Sequence, residues 1–196
     1  MAEIAREELD WLNPPLAEAR SSGAITVKTR KATDFWQQTF YGFRRHSGHF
    51  LHKSVRGDFT ASVRFIGRYE ALYDQAGLMV RSDETHWAKT GIEYTDGERH
   101  LSAVVTNEFS DWSVLPYRAS REEVSIRLTR HGEAIRIQYE EPETGRWQMV
   151  RLAYLKPAAE LQVGLMCCSP EREGFEVTFR DFQIGPPIDR ALHATS

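Results

Sequence analysis

Apolar and polar residues alternate with a period of two along much of the chain, most clearly between Leu72 and Val114. Side chains on a strand point alternately to its two faces, so this pattern predicts half-buried β-strands. Three successive antiparallel strands are expected, over residues 75–82, 86–95 and 99–107, followed by a fourth short segment. Asp96-Gly97, a dipeptide suited to a two-residue hairpin turn, joins the second strand to the third. Parity then sorts the side chains. Ala76, Leu78, Val80, Ala88, Thr90, Ile92, Tyr94, Leu101, Ala103 and Val105 share the face expected to be core. Gln75, Gly77, Met79, Arg81, Trp87, Lys89, Gly91, Glu93, His100, Ser102, Val104 and Thr106 take the other.

The same reading places further strands at 25–30, 59–66, 124–130, 134–140, 147–153, 161–169 and 175–184, with His131-Gly132 as a two-residue turn. About a dozen short strands, with turn residues every 8–12 positions and no sustained helical stripe, predict an all-β protein. The expected architecture is a two-sheet antiparallel β-sandwich of one domain over residues 21–185. A polar lead-in (1–20) precedes it and a tail (186–196) follows. In the lead-in Pro14-Pro15 argues against regular structure, Trp11 is a candidate anchor, and residues 2–9 have room for a short helical turn.

Residues 33–50 hold six aromatic residues, Phe35, Trp36, Phe40, Tyr41, Phe43 and Phe50. Such density points first to packing, but Trp36 and Tyr41 would be natural covers for a site on the sheet. His46 and His49 lie three apart with no third ligand nearby, and are expected to be loop histidines rather than a metal pair.

Composition narrows the classes. A chain of 196 residues with 41% hydrophobic and 27% charged residues suits one soluble globular unit. The net charge of −3, pI near 6.2 and absence of a basic block argue against nucleic acid as a partner. The longest apolar runs, of about four or five residues, are far too short to span a membrane. The acidic opening MAEIAREELDWLNPP lacks an apolar signal core, so a cytoplasmic location is expected. Cys167 and Cys168 are adjacent and should point to opposite faces as two reduced thiols, with no zinc or redox motif.

The strings WLNPP, TDFWQQTFYGF, YDQAGLMVRSDETHWAKTGIEY, VVTNEFSDWSV and VGLMCCSP resemble the "regulation of enolase protein" family. That family is a domain of unknown function in the concanavalin A-like lectin/glucanase superfamily. The resemblance spans residues 11–184 and implies a jelly roll of two curved sheets, with a concave face where members elsewhere in the superfamily bind or cleave sugars. The enolase connection belongs to the name of a fungal member, and a shared fold does not transfer function.

Glycosidase chemistry needs two carboxyl groups at a fixed separation. Only Glu171-Arg172-Glu173-Gly174-Phe175-Glu176 has the spacing of the superfamily's glucanase motif, and it straddles a turn. Glu93, with Asp74 or Asp111 as partner, is the remaining weak catalytic candidate. There is no Gly-x-Ser-x-Gly string and no glycine-rich phosphate loop. Asp74, Asp83 and Asp111 could contribute to a calcium site, but their spacing is not that of a dedicated loop, so no metal and no cofactor is assigned.

Binding demands less. Trp87, with Trp36 or Trp112, could supply an aromatic platform, and Gln75, Arg81, Lys89, Glu93 and Asp111 could supply donors and acceptors. Trp87 and Lys89 would be roughly 7 Å apart, and Lys89 and Glu93 about 13 Å, too far to pair along one strand. A cross-strand network of Arg81, Lys89 and Glu93 would use the same residues for stability alone. The leading expectation is a non-catalytic module that holds a small polar or carbohydrate-like ligand. A glycan-active hydrolase or lyase, and a regulator acting through a protein partner such as a metabolic enzyme, are the alternatives.

Overall fold

The computed structural model describes residues 9–119 and 121–192, and among these there are sixteen strands and no helix. Seven strands form one antiparallel sheet, in the order β1 (Asp10–Leu12), β6 (His49–Arg56), β15 (Glu160–Cys168), β8 (Gln75–Arg81), β9 (His86–Thr95), β10 (Glu98–Asn107), β11 (Phe109–Pro116). Seven more form the second, in the order β14 (Trp147–Tyr154), β13 (Ala134–Glu140), β12 (Val124–His131), β7 (Phe59–Gly67), β16 (Glu176–Gly185), β3 (Ala24–Lys28), β2 (Ala17–Ser21). A separate hairpin pairs β4 (Phe35–Gln37) with β5 (Arg44–His46). The two large sheets make the expected sandwich.

Its interior is filled by the predicted parity set. Ala76, Leu78, Val80, Ala88, Ile92, Leu101, Ala103 and Val105 pack against Val27, Phe59, Val63, Phe65, Leu128 and Ile137 of the other sheet. The Asp96-Gly97 turn has both residues at positive φ (53° and 79°), the geometry that matches the twist of a two-residue hairpin.

The opposite face of the first sheet is not left to solvent. Phe35 and Trp36 of the hairpin lie over it with Phe50, Met79, Trp87, Val104, Met166 and Cys168, forming a second apolar cluster. Trp87 is 0% exposed, with the Phe35 ring 6.1 Å away. Hydrogen bonds fasten the hairpin at several points. The Gln37 N–H donates to Ser110 Oγ (2.9 Å), Gln37 Nε2 donates to the Glu84 carbonyl (2.9 Å), and Asn13 Nδ2 donates to the carbonyls of His46 (2.6 Å) and Gly48 (2.9 Å).

Register sets what lies beneath the hairpin. Gln75 pairs with Glu93, Gly77 with Gly91, Met79 with Lys89, and Arg81 with Trp87. The glycine pair therefore separates the Gln75–Glu93 row from the Met79–Lys89 row and contributes no side chain between them. It also permits close strands: a Cβ at Gly77 would sit 2.0 Å from the Thr90 carbonyl oxygen, and one at Gly91 would sit 1.9 Å from that of Ala76.

Several expectations need correction. The lead-in is irregular only around Pro14-Pro15, as expected; β1 and β2 flank the prolines and join different sheets, so the prolines mark where the chain crosses between layers. The possible helical turn over 2–9 falls, except for Leu9, outside the described residues. The turn after β12 is Gly132-Glu133 rather than His131-Gly132, because His131 still pairs with Ala134. His46 and His49 are strand residues, not loop residues. His49 accepts the Arg30 N–H at Nε2 (3.0 Å) and binds the Asn13 carbonyl through Nδ1 (2.7 Å), which ties the lead-in to the sheet. Cys167 and Cys168 are free, buried and divided between the two clusters, as alternation requires.

Gly77→Ala or Gly91→Ala should destabilise the protein by about 1–3 kcal/mol, because the neighbour is backbone and cannot rotate away. Urea denaturation measures this directly, and an alanine variant as stable as the parent would contradict the close approach.

Candidate functional site

Between the hairpin and the sheet lies a cavity of about 240 Å³. Gln75, Lys89, Glu93, Val104 and Trp112 reach it from the sheet, around the side-chain-free glycine pair. Asp34, Trp36, Tyr41, Phe43 and Arg45 reach it from the covering segment, and Tyr73 and Glu171 from loops. The covering loop is held in uncommon backbone conformations, with Gln38 (φ 55°) and Phe40 (φ 64°) in the left-handed region, as is Tyr73 (φ 65°). Bulky residues rarely adopt this conformation, at a cost of order 1–3 kcal/mol each, and such strain tends to gather at ligand sites.

Charge is concentrated at the floor. Lys89 is 4% exposed and its Nζ lies 3.1 Å from Asp34 Oδ1, a link from sheet to cover. Burial works against the ammonium, but Asp34, helped by Glu93, outweighs it and holds the Lys89 pKa above its ordinary value. Glu93 is 6% exposed. Ser102 Oγ (2.6 Å) and Trp112 Nε1 (3.1 Å) both donate to its Oε2, so among the described residues Oε1 is left to the cavity. Burial raises the Glu93 pKa, and the opposing pull of Lys89 and the two donors does not cancel it. At the mouth the hydroxyls of Tyr41 and Tyr73 lie 3.1 Å apart. That hydrogen bond is the main reason the Tyr73 phenol is pushed up to about 12.

The structure brings together some of the expected site residues and separates others. Gln75, Lys89, Glu93, Trp112, Trp36 and Tyr41 share the cavity. Trp87 lies on the predicted face but is sealed beneath Phe35, so it is a packing residue and no platform. Arg81 is outside the cavity and donates to Gln162 Oε1 (2.7 Å). Asp74 is 0% exposed and accepts hydrogen bonds from the N–H groups of Glu70 (3.1 Å) and Ala71 (3.0 Å), from Ser169 Oγ (2.6 Å) and from Arg172 Nε (2.9 Å). Asp111 pairs with Val105, an interior-facing position, and its exposed carboxylate bonds Arg151 at 2.9 Å. Neither aspartate joins Glu93 in the cavity. Asp34, Arg45 and Tyr73 were not flagged by the sequence, Phe43 was flagged there only as packing, and Glu171 only within a string that straddles a turn. Asp34 stands immediately before Phe35-Trp36, a placement that signals a site only once the hairpin is known to fold onto Lys89. No group of three or more His, Cys, Asp and Glu residues is arranged for a metal ion among the described residues.

Residues 11–187 match the family described as "Protein of unknown function (DUF1349)". The chain belongs to this family. It is similar along its whole length to "Regulation of enolase protein 1" of Saccharomyces cerevisiae, at 44% identity over 199 residues with all of both chains covered. A crystal structure of a functionally unknown protein from Saccharomyces cerevisiae superimposes with a TM-score of 0.90 at 43% identity, covering 95% of this chain and 100% of that one. A bifunctional GH43-CE protein of Bacteroides eggerthii superimposes with a TM-score of 0.69 at 16% identity, over 93% of this chain and 24% of its own. At that identity the likeness concerns the fold alone. Within this family member, then, the jelly-roll frame carries a roofed polar cavity.

Two variants separate structural from site carboxylates. Asp74→Ala should cost on the order of 3 kcal/mol, since it strips partners from Arg172, Ser169 and two backbone N–H groups. Asp111→Ala removes an exposed pair and should cost under about 1 kcal/mol, with chemical denaturation of both reading the contrast. A third concerns pH. The folded-state pKa of Glu93 lies above its unfolded value, so its stabilising contribution is full below the unfolded pKa and is lost as pH rises through the folded one. Glu93→Gln cannot ionise, and its melting temperature should gain on the parent's as pH rises from about 4.5 toward neutrality. A constant difference across that window would contradict the assignment.

Proposed function

We propose that the protein binds a small polyhydroxylated molecule in the roofed cavity without transforming it. The observation that carries this reading is the set of unspent polar groups around a floor without side chains. Among the described residues Lys89 has three N–H donors and one hydrogen-bond partner, Asp34, besides the Trp87 ring 5.8 Å from its Nζ, and Glu93 keeps one oxygen open. Buried polar groups are normally satisfied, so a site that leaves these open is built for a partner that supplies the missing bonds. The volume of about 240 Å³ lies below the ~300–1,000 Å³ of sites for drug-sized ligands, which suits an occupant of ring size. Hydroxyl groups donate and accept, so they match a wall that mixes an ammonium, carboxylates, an amide and phenols.

Non-catalytic binding is favoured over hydrolysis because Glu93 lacks its expected partners. Asp74 and Asp111 are engaged elsewhere, and Asp34 is bound to Lys89. A second reading rests on the name of the yeast relative: regulation of enolase through a protein contact. Adding the protein to enolase from its own cell extract, with activity and co-purification as readouts, tests that reading; an inert mixture would count against it.

Trp36 and Trp112 line the cavity, so a ligand should change intrinsic fluorescence as well as raise the melting temperature. A panel of monosaccharides, polyols and hydroxylated metabolites should contain binders whose affinity falls at least about tenfold in Lys89→Met, the loss of about 1.4 kcal/mol expected for one charged hydrogen bond. A panel that moves neither signal would remove the proposal.

A further inference from the structure

Four of the five aromatic side chains that line the cavity are arranged as a closed box, with the fifth, Phe43, stacked on Tyr41 at 5.2 Å. Tyr41 meets Trp36 at 5.7 Å and 70°, Trp36 meets Trp112 at 6.4 Å and 88°, and Trp112 meets Tyr73 at 6.3 Å and 74°. The Tyr41–Tyr73 hydroxyl contact at 3.1 Å closes the circuit. Rings that meet near right angles stand like the walls of a box, and all four line the same cavity. Stacking one sugar ring requires a single aromatic face. Several walls around one space match the requirement of an ammonium group, which is attracted to each ring face in turn.

The charges agree with the rings. The cavity lining carries three carboxylates, Asp34, Glu93 and Glu171, and two cations, Arg45 and Lys89. Lys89 is engaged by Asp34 at 3.1 Å, and the Arg45 guanidinium lies over the Phe43 ring at 4.8 Å. Glu93, more than nine-tenths buried, thus keeps an open oxygen at the box with no cation among the described residues bonded to it. A neutral polyol would leave that carboxylate with only the pull of Lys89, which Asp34 already engages, whereas a cation would be met by both carboxylate and rings.

We infer that the occupant is a small hydroxylated molecule bearing an alkylated ammonium group, seated between Glu93 and the box formed by Trp36, Tyr41, Tyr73 and Trp112. This rests on the ligand-binding reading above and specifies its chemistry. Lys89, which lines the same cavity, serves the hydroxyl end.

The decisive comparison uses choline and its uncharged carbon isostere 3,3-dimethyl-1-butanol, with glucose and glycerol as neutral polyols, in calorimetric and fluorescence titrations of the full chain. Choline should bind at least tenfold more tightly than the isostere. Glu93→Gln should abolish that preference while remaining folded, because the amide oxygen can still accept from Ser102 and Trp112. Tyr41→Leu, at a half-exposed wall, should weaken choline by a similar factor without unfolding the protein. Equal binding of choline and isostere, or binding of neutral polyols alone, would overturn the ammonium assignment and leave the ligand-binding reading standing. Silence from all four probes and from the wider panel would remove both.

Discussion

The ion pair between Lys89 and Asp34 joins the two parts on which the cavity depends, the sheet and the segment that roofs it. A lysine held at 4% exposure in the middle of a β-strand would be strongly disfavoured without an opposite charge, and Glu93 of the same strand helps without bonding it. Its partner comes instead from a residue 55 positions earlier, at the start of the hairpin. The pair therefore does more than neutralise a charge. It makes the roof and the floor mutually dependent, since displacing the hairpin would expose Phe35 and Trp36 and leave Lys89 without its counter-ion.

Around that pair, apolar and polar requirements are met in separate zones of one sheet face. Toward one end Trp87 packs under Phe35 and excludes water; toward the other, past the glycine pair, Gln75 and Glu93 line the cavity. The glycines mark the division, because any side chain there would collide with neighbouring backbone. Glu93 is the group least favoured by this arrangement. Its burial opposes ionisation, and the strained conformations at Gln38, Phe40 and Tyr73 add to what the rest of the fold must offset. Sites of this kind commonly trade stability for function.

Alternation alone exposed most of the fold. The strand at residues 86–95 was legible to the residue, because a period of two with a well-formed turn at Asp96-Gly97 admits one register. The short strands β1 and β2 were not legible, since three to five residues beside Pro14-Pro15 carry little periodic signal and gain their order from neighbours. The candidate site was half legible. Parity put Gln75, Lys89 and Glu93 on a common face, and composition flagged Trp36 and Tyr41. Trp87 was misplaced as a platform because parity reports the face of a sheet and says nothing of what covers it. Asp74 and Asp111 were credited with proximity in sequence, whereas the backbone directs each toward a different partner.

The sequence by itself determined most of the layers: the longer strands other than β6, which side chains enter the sandwich, and that the thiols of Cys167 and Cys168 lie on opposite faces. These follow from local stereochemistry repeated every two residues. Only the tertiary structure decided that the polar face would be roofed, which aromatic residues became core and which became walls, and that Asp34 would answer Lys89. Those outcomes depend on contacts between residues far apart in the chain, where burial and charge must be satisfied together and no local pattern records the match.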